Sequence, residues 1–206
     1  MKVSEIHNPD INKVEGIFRS LLDELYPFWK GDAHLLETPK RLAKMYVEEL
    51  FAGLYASPPE VKLFPRGARN NSDVIQETFS MKKIPYLGLC PHHLMPIEGE
   101  VDVKWKYIPG NGEVPLIGLS KVSRWVQWLA KKPITQEQFT YSLVKDLFMM
   151  LTSVEPKLSK NSVKIKVVVR AKHLCMSHRG VLHNPLTVTK AVWPESSKNK
   201  EINHES

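Results

Sequence analysis

Val101-Asp102-Val103-Lys104-Trp105-Lys106-Tyr107 decides the fold class. Apolar and charged side chains alternate through it without a break, the period of a strand with one face buried and one in water. A second stretch reads the same way, with Val163, Ile165, Val167 and Val169 set between Lys164, Lys166 and Val168. Two helical segments lie between them. The first holds Val122, Trp125, Val126 and Leu129 at helical spacing, with Ser120 as its expected cap. Pro133 interrupts. Thr135-Gln136-Glu137-Gln138 then has the form of a capping box and opens a helix with Phe139, Leu143, Leu147, Met150 and Leu151. A last strand is expected around Leu186–Trp193.

Toward the N-terminus, Ile11, Val14, Phe18, Leu21, Leu22 and Leu25 predict a helix capped by Asp10 and closed by Pro27. Thr38-Pro39 starts another, with Leu42, Met45, Tyr46, Leu50 and Phe51 on one face and Gly53 at its end. Residues 57–73 read as a loop, and Pro109-Gly110-Asn111-Gly112 as a turn. The chain divides into an N-terminal helical region (1–56), a main domain (57–194) and a polar tail (195–206). A helix pair between antiparallel strand pairs is an α+β pattern, a four-stranded sheet with two free edges that favour oligomerisation.

The chain has 206 residues, 42% hydrophobic and 25% charged, with a net charge of +7. That is enough apolar material for a sizeable core. A basic balance suits polyanions, but no arginine-rich stripe with interleaved aromatics is present, so no nucleic-acid partner is expected. Met1–Glu5 lacks the apolar core of a secretion signal, and no apolar run is long enough to span a bilayer. A cytoplasmic location without a membrane partner is expected.

Cysteine occurs only twice, in Cys90-Pro91-His92-His93 and in His173-Leu174-Cys175. Two thiolates and one imidazole are the set with which zinc keeps a fourth position for water and lowers that water's pKa to about 7. The Cys-x-x-His spacing makes Cys90, His93 and Cys175 the candidate ligands. His92 and His173 are then proton carriers, or one of them is a fourth ligand that closes a structural site. Iron or manganese also remains open as the metal. Ser120-Lys121 opens a helix, and a hydroxyl and an ammonium at a helix N-terminus suit phosphate. Arg124 lies one turn on, Arg41 is in the first turn of the Thr38 helix, and Arg179 follows Cys175 by four residues. Glu137 either caps its helix or accepts the two parallel N–H bonds of a guanine edge. Trp125 and Trp128 read as core and interface packing.

In these motifs taken together the chain resembles the GTP cyclohydrolase I family. The resemblance rests on Glu37-Thr38-Pro39-Lys40-Arg41-Leu42-Ala43-Lys44-Met45-Tyr46, Cys90-Pro91-His92-His93, Ile117-Gly118-Leu119-Ser120-Lys121, Gln136-Glu137, and His173-Leu174-Cys175 with Arg179-Gly180. It implies a tunnelling fold, commonly a homodecamer with active sites at subunit interfaces, and conversion of GTP and water to 7,8-dihydroneopterin triphosphate and formate. It also implies Zn2+ on Cys90, His93 and Cys175. His173 becomes the acid that protonates guanine's imidazole ring, with His92 beside it in proton transfer. Gln136 and Glu137 become the guanine and ribose anchor. Lys121, Arg124, Arg179 and Arg41 become triphosphate contacts, and Ser120 assists the ribose rearrangement. Pro91 stands where the family usually has glutamate, and His183-Asn184-Pro185 replaces a more hydroxyl-rich stretch. A related tunnelling-fold enzyme acting on another purine or pterin is the competing expectation.

Overall fold

Asp10 caps the first helix as its sequence predicts. Its Oδ1 accepts from the Asn12 N–H at 2.9 Å, and α1 runs Ile11–Leu25. The computed structural model describes residues 8–64, 78–107, 116–152 and 163–194. The turn at 109–112, the tail and residues 65–73 of the expected loop lie outside them. Phe18 of α1 meets Tyr46 with ring centroids 5.4 Å apart, which ties α1 to the next helical stretch. That stretch is not the single helix expected. It is α2 (Thr38–Lys44), a π-helical turn over Met45–Leu50, and α3 (Ala52–Tyr55). Gly53 lies inside α3 instead of ending the helix. Its N–H donates to the Lys131 carbonyl at 2.9 Å, so this backbone docks directly on the end of α4 (Leu119–Ala130).

The short strands β1 (Leu63–Phe64) and β4 (Leu116–Ile117) pair with each other. The main sheet has the order β2-β3-β5-β6, all antiparallel, from β2 (Thr78–Leu89), β3 (Pro96–Tyr107), β5 (Val163–His173) and β6 (Thr187–Trp193). In sequence, α4 and α5 (Gln136–Thr152) fall between the two strand pairs. The α+β class, the central strands and the helix pair agree with the sequence reading.

Strand β2 was not named from sequence, because a bulge breaks its alternation. Register shifts between Met81 and Ile84, and Lys83 takes a positive φ of 55°. The Asp102 carboxylate accepts from the Lys83 N–H at 2.9 Å and holds the bulge. Ser120 does not cap α4. Gly118 is the cap residue and Ser120 is the second residue of the helix. Thr135 does form its box: its Oγ1 accepts from the Gln138 N–H at 3.2 Å, and Gln138 Oε1 accepts from the Thr135 N–H at 3.3 Å. One sheet face carries Val101, Val103, Trp105, Ile165, Val167 and Val169 into a core with Val122, Val126, Phe139, Leu143 and Leu147 of the helices. Trp125 and Trp128 pack beside this core with centroids 5.1 Å apart. Among the described residues, no helix is long and apolar enough to cross a membrane.

A Cβ on Gly53 would sit 2.7 Å from the Lys131 carbonyl oxygen and closer still to that of Trp128. Both are backbone atoms and cannot swing away. Gly53→Ala is therefore expected to destabilise the fold by about 1–3 kcal/mol, read as a lower midpoint in denaturant titration.

Candidate metal and acid–base site

Register brings the two cysteines together. Strand β2 ends at Leu89, which pairs with Pro96, and Ile97 pairs with His173 at the end of β5. The β2–β3 turn and the exit of β5 thus share one edge of the sheet. Cys90 opens that turn. Its N–H donates to the Met95 carbonyl and its carbonyl accepts from Leu94, both at 2.9 Å. Leu94 takes a φ of 51° to close the loop, which presents His92 and His93 outward. Beyond His173 the chain turns into the short helix α6 (Leu174–Ser177), whose second residue is Cys175.

The thiols of Cys90 and Cys175 lie 3.6 Å apart, and His93 Nδ1 is 3.9 Å from the Cys90 sulfur. All three donor atoms fall within 4.8 Å of one another. A tetrahedral ion with metal–sulfur bonds of about 2.3 Å sets neighbouring ligands roughly 3.8 Å apart. The two separations from the Cys90 sulfur are close to that spacing, and the three side chains could hold such an ion. His92 Nδ1 also approaches Cys90, at 3.9 Å, but His92 is not part of the three-residue group. Burial and the neighbouring Cys90 sulfur push the Cys175 thiol above its usual value, while Arg179 pulls it down. Arg179 is exposed and shares this end of the molecule.

His173 is held by its Nε2, which lies 2.9 Å from Gln136 Oε1. The orientation of that amide follows from its surroundings. Gln136 Nε2 faces the carbonyls of Val169 and Thr187 at 3.2 and 3.3 Å, and those oxygens only accept. Oε1 must then be the end that faces His173, so the imidazole donates from Nε2. Nδ1 is its free nitrogen. Burial lowers the pKa of His173 below the ordinary imidazole value, and the Glu137 carboxylate partly offsets this. Glu137 is exposed in the first turn of α5.

Gln136 was expected to touch substrate alongside Glu137. Within one chain it is 2% exposed, with its amide engaged by Val169, Thr187, Thr189 and His173. Thr187 Oγ1 lies 2.6 Å from Gln136 Oε1, and Thr140 Oγ1 lies 2.6 Å from Thr189 Oγ1. Sequence reading missed these threonines. Their signal was Thr187 and Thr189 two residues apart, which puts two hydroxyls on one face of a strand. It also missed Tyr86, 1% exposed, which packs on Phe139 at 4.5 Å. Burial, with Glu137 and Cys90 nearby, holds its phenol well above the usual value.

The remaining expected residues are elsewhere. Val122 and Ile117, which flank Ser120 and Lys121, pack with Trp105 and Ile165. Trp105 is eight residues from Ile97 along β3, about 27 Å at the rise of a strand. Ser120 and Lys121 therefore sit at the end of the sheet opposite the thiols. Arg124 is exposed and lines a shallow cavity with Gly53, Trp128 and Lys131. Arg41 is exposed on α2 and has no ion pair among the described residues. One chain brings together Cys90, His92, His93, Cys175, His173, Glu137 and Arg179, but not Ser120, Lys121 or Arg124.

Fold and site together define an α+β protein with a Cys–His–Cys group that could hold a metal ion, and an imidazole and a carboxylate beside it. The chain belongs to the GTP cyclohydrolase I family, which it matches over residues 17–206. It is 40% identical over 187 residues to the GTP cyclohydrolase 1 of Thermoanaerobacter pseudethanolicus, covering 89% of this chain and 87% of that one. The same figures hold for the GTP cyclohydrolase 1 of Caldanaerobacter subterraneus. For that of Wigglesworthia glossinidia brevipalpis the identity is 33% over 181 residues, with 87% and 74% covered.

Gln136→Leu keeps the volume of the side chain but strands the Val169 and Thr187 carbonyls and the His173 N–H. It is expected to cost about 1–3 kcal/mol in denaturant titration, with metal uptake by the purified chain unchanged.

Proposed function

We propose that the protein is a GTP cyclohydrolase I that converts GTP and water into 7,8-dihydroneopterin triphosphate and formate. The observation that carries this reading is the convergence of Cys90, His93 and Cys175 beside His173 and Glu137, in a chain of this family. Zinc is the ion proposed for the three ligands. When bound it supplies a Lewis acid that lowers the pKa of a water in its open position.

The Glu137 carboxylate accepts two parallel N–H bonds from the guanine edge, which sets the ring against the centre. His173 takes up a proton at Nδ1, where the Glu137 carboxylate favours the charged ring, and passes it to the guanine imidazole ring, since Nε2 is held by Gln136. Protonation makes C8 electrophilic, and water adds there. The ring opens, formate leaves after a second hydrolysis, and the rearranged ribose closes on the freed amine. His92, exposed on the Cys90 turn, carries protons between the site and solvent. Gln136 acts through His173 and does not touch the substrate.

Lys121, Arg124, Arg41 and Arg179 are proposed to hold the triphosphate, and Ser120 to assist the ribose step. The span between Ser120 and the thiols is too long for one GTP to bridge within a chain. It supports a site built from two or more copies, as in a tunnelling-fold homodecamer whose free sheet edges pair. In that assembly residues 1–56 are an appendage to a catalytic domain of residues 57–194. The use of both cysteines as ligands supports a reducing, cytoplasmic setting.

Metal analysis with a turnover assay tests the chemistry. The purified protein is expected to hold one zinc per chain and to form a fluorescent pterin from GTP, with activity lost on chelation and restored by zinc. Turnover that survives complete metal removal overturns the reading, as does His173→Ala with zinc retained and rate unchanged.

Complementation tests the shared site. Lys121→Ala and His173→Ala chains are each expected to be inactive alone. Co-expressed, they are expected to regain a measurable fraction of wild-type turnover, because some interfaces receive both intact halves. Mixed oligomers without activity would place the whole site within one chain.

A further inference from the structure

The helix-free face of the main sheet carries a charge pattern that the metal site does not use. Cross-strand register sets two rows across β2, β3 and β5: Thr78, Lys106 and Lys164 in one, Ser80, Lys104 and Lys166 in the other. Ammonium groups stand directly opposite each other in both rows, an arrangement that destabilises an antiparallel pair. Lys190 of β6 adds a fifth charge diagonal to Lys166, whose direct partner is Val192. Lys104, Lys164, Lys166 and Lys190 are exposed and Lys106 is half-buried. Among the described residues none of the five has an ion pair.

The same face is neutralised toward the metal end. There Glu98 pairs with Lys172 and Glu100 with Arg170 in register, and Arg170 Nη1 meets Asp102 Oδ2 at 2.7 Å. Carboxylates and cations are therefore segregated along the strands, and the lysine half has no described acidic side chain of its own.

We propose that this lysine half is a binding site for a small phosphate-class polyanion, such as a triphosphate group or a short polyphosphate. The strand positions of the four paired lysines form a rectangle about 5 Å across the strands and about 7 Å along them, from which their flexible side chains can converge on a linear run of phosphates. Thr78 and Ser80 place a hydroxyl donor at the end of each row. Lysine binds phosphate as a point charge without a fixed fork. Among the described residues the rows carry no aromatic ring on which a base could stack, which disfavours single-stranded nucleic acid.

Inorganic tripolyphosphate titrated into the metal-loaded full-length protein tests this by calorimetry and thermal melting. Wild type is expected to bind two per chain, one at the proposed substrate site and one on this face. Lys121→Ala is expected to lose the first only. Lys166→Glu, which faces Lys104 with an opposite charge, is expected to lose the second only, to melt higher than wild type without ligand, and to keep GTP turnover. Lys166→Gln provides the neutral intermediate should the reversal fold poorly, with an expected drop in affinity of at least threefold at the second site. A single equivalent lost in Lys121→Ala overturns the proposal. So does unchanged binding in both Lys166 variants, or an oligonucleotide or polyglutamate that binds this face more tightly than tripolyphosphate.

Discussion

The pairing of β3 with its two neighbours is the constraint on which the site depends. In this sheet Leu89 meets Pro96 and Ile97 meets His173, so one edge receives both the Cys90 turn and the start of α6. A slip of one residue in either pairing would turn Val101, Val103 and Trp105 from the helices to solvent. The burial that fixes the register is the burial that sets the thiols 3.6 Å apart. The spacing of the candidate ligands is thereby set by the hydrophobic core and not by the loop alone. Gly99 tightens the arrangement, because a Cβ there would run into the Arg170 carbonyl and, at 2.7 Å, the Ala171 Cα.

Much of this was legible in the chain itself, for local reasons. Alternation at 101–107 and 163–169 needs only period two to be seen, and the Thr135 box needs only four residues. The ligand trio was legible because cysteine is so sparingly used. What escaped depends on contacts made after folding. Strand β2 hides behind a bulge at Lys82–Lys83 that is held by Asp102 from the neighbouring strand. Gln136 reads as an exposed first-turn polar residue until β6 is laid beside β5 and its amide is enclosed. Gly53 reads as a helix stop, yet its lack of a side chain serves the close approach of α3 to the end of α4.

The enclosure of Gln136 sets the chemical character of His173. A lone histidine at a strand end can carry its proton on either nitrogen and rotate between them. Here the carbonyls of Val169 and Thr187 fix the amide, the amide fixes Nε2–H, and Nδ1 is left as the nitrogen available to a ligand. Each link is a neutral hydrogen bond in a partly buried place, where leaving a partner unmatched costs more than the bond itself contributes. The network therefore selects an orientation more than it adds stability. Glu137, the next residue, stays exposed, so consecutive side chains on one helix divide the work of holding the imidazole and facing a ligand.

Segregation of charge along the sheet bears on assembly as well. The paired end of the outer face, with Asp102–Arg170 and the Glu–Lys opposites, is close to neutral and tolerates a second chain nearby. The lysine end does not, because copies brought together there would add to a repulsion already present between Lys104 and Lys166 and between Lys106 and Lys164. Among the described residues β2 and β6 are the edge strands, β2 bridged only at Leu89 to Pro133, and β6 carries Lys190 at its centre. Closing such edges on further copies gathers more lysines around a common space, where each charge weakens the next unless an anion lies between them.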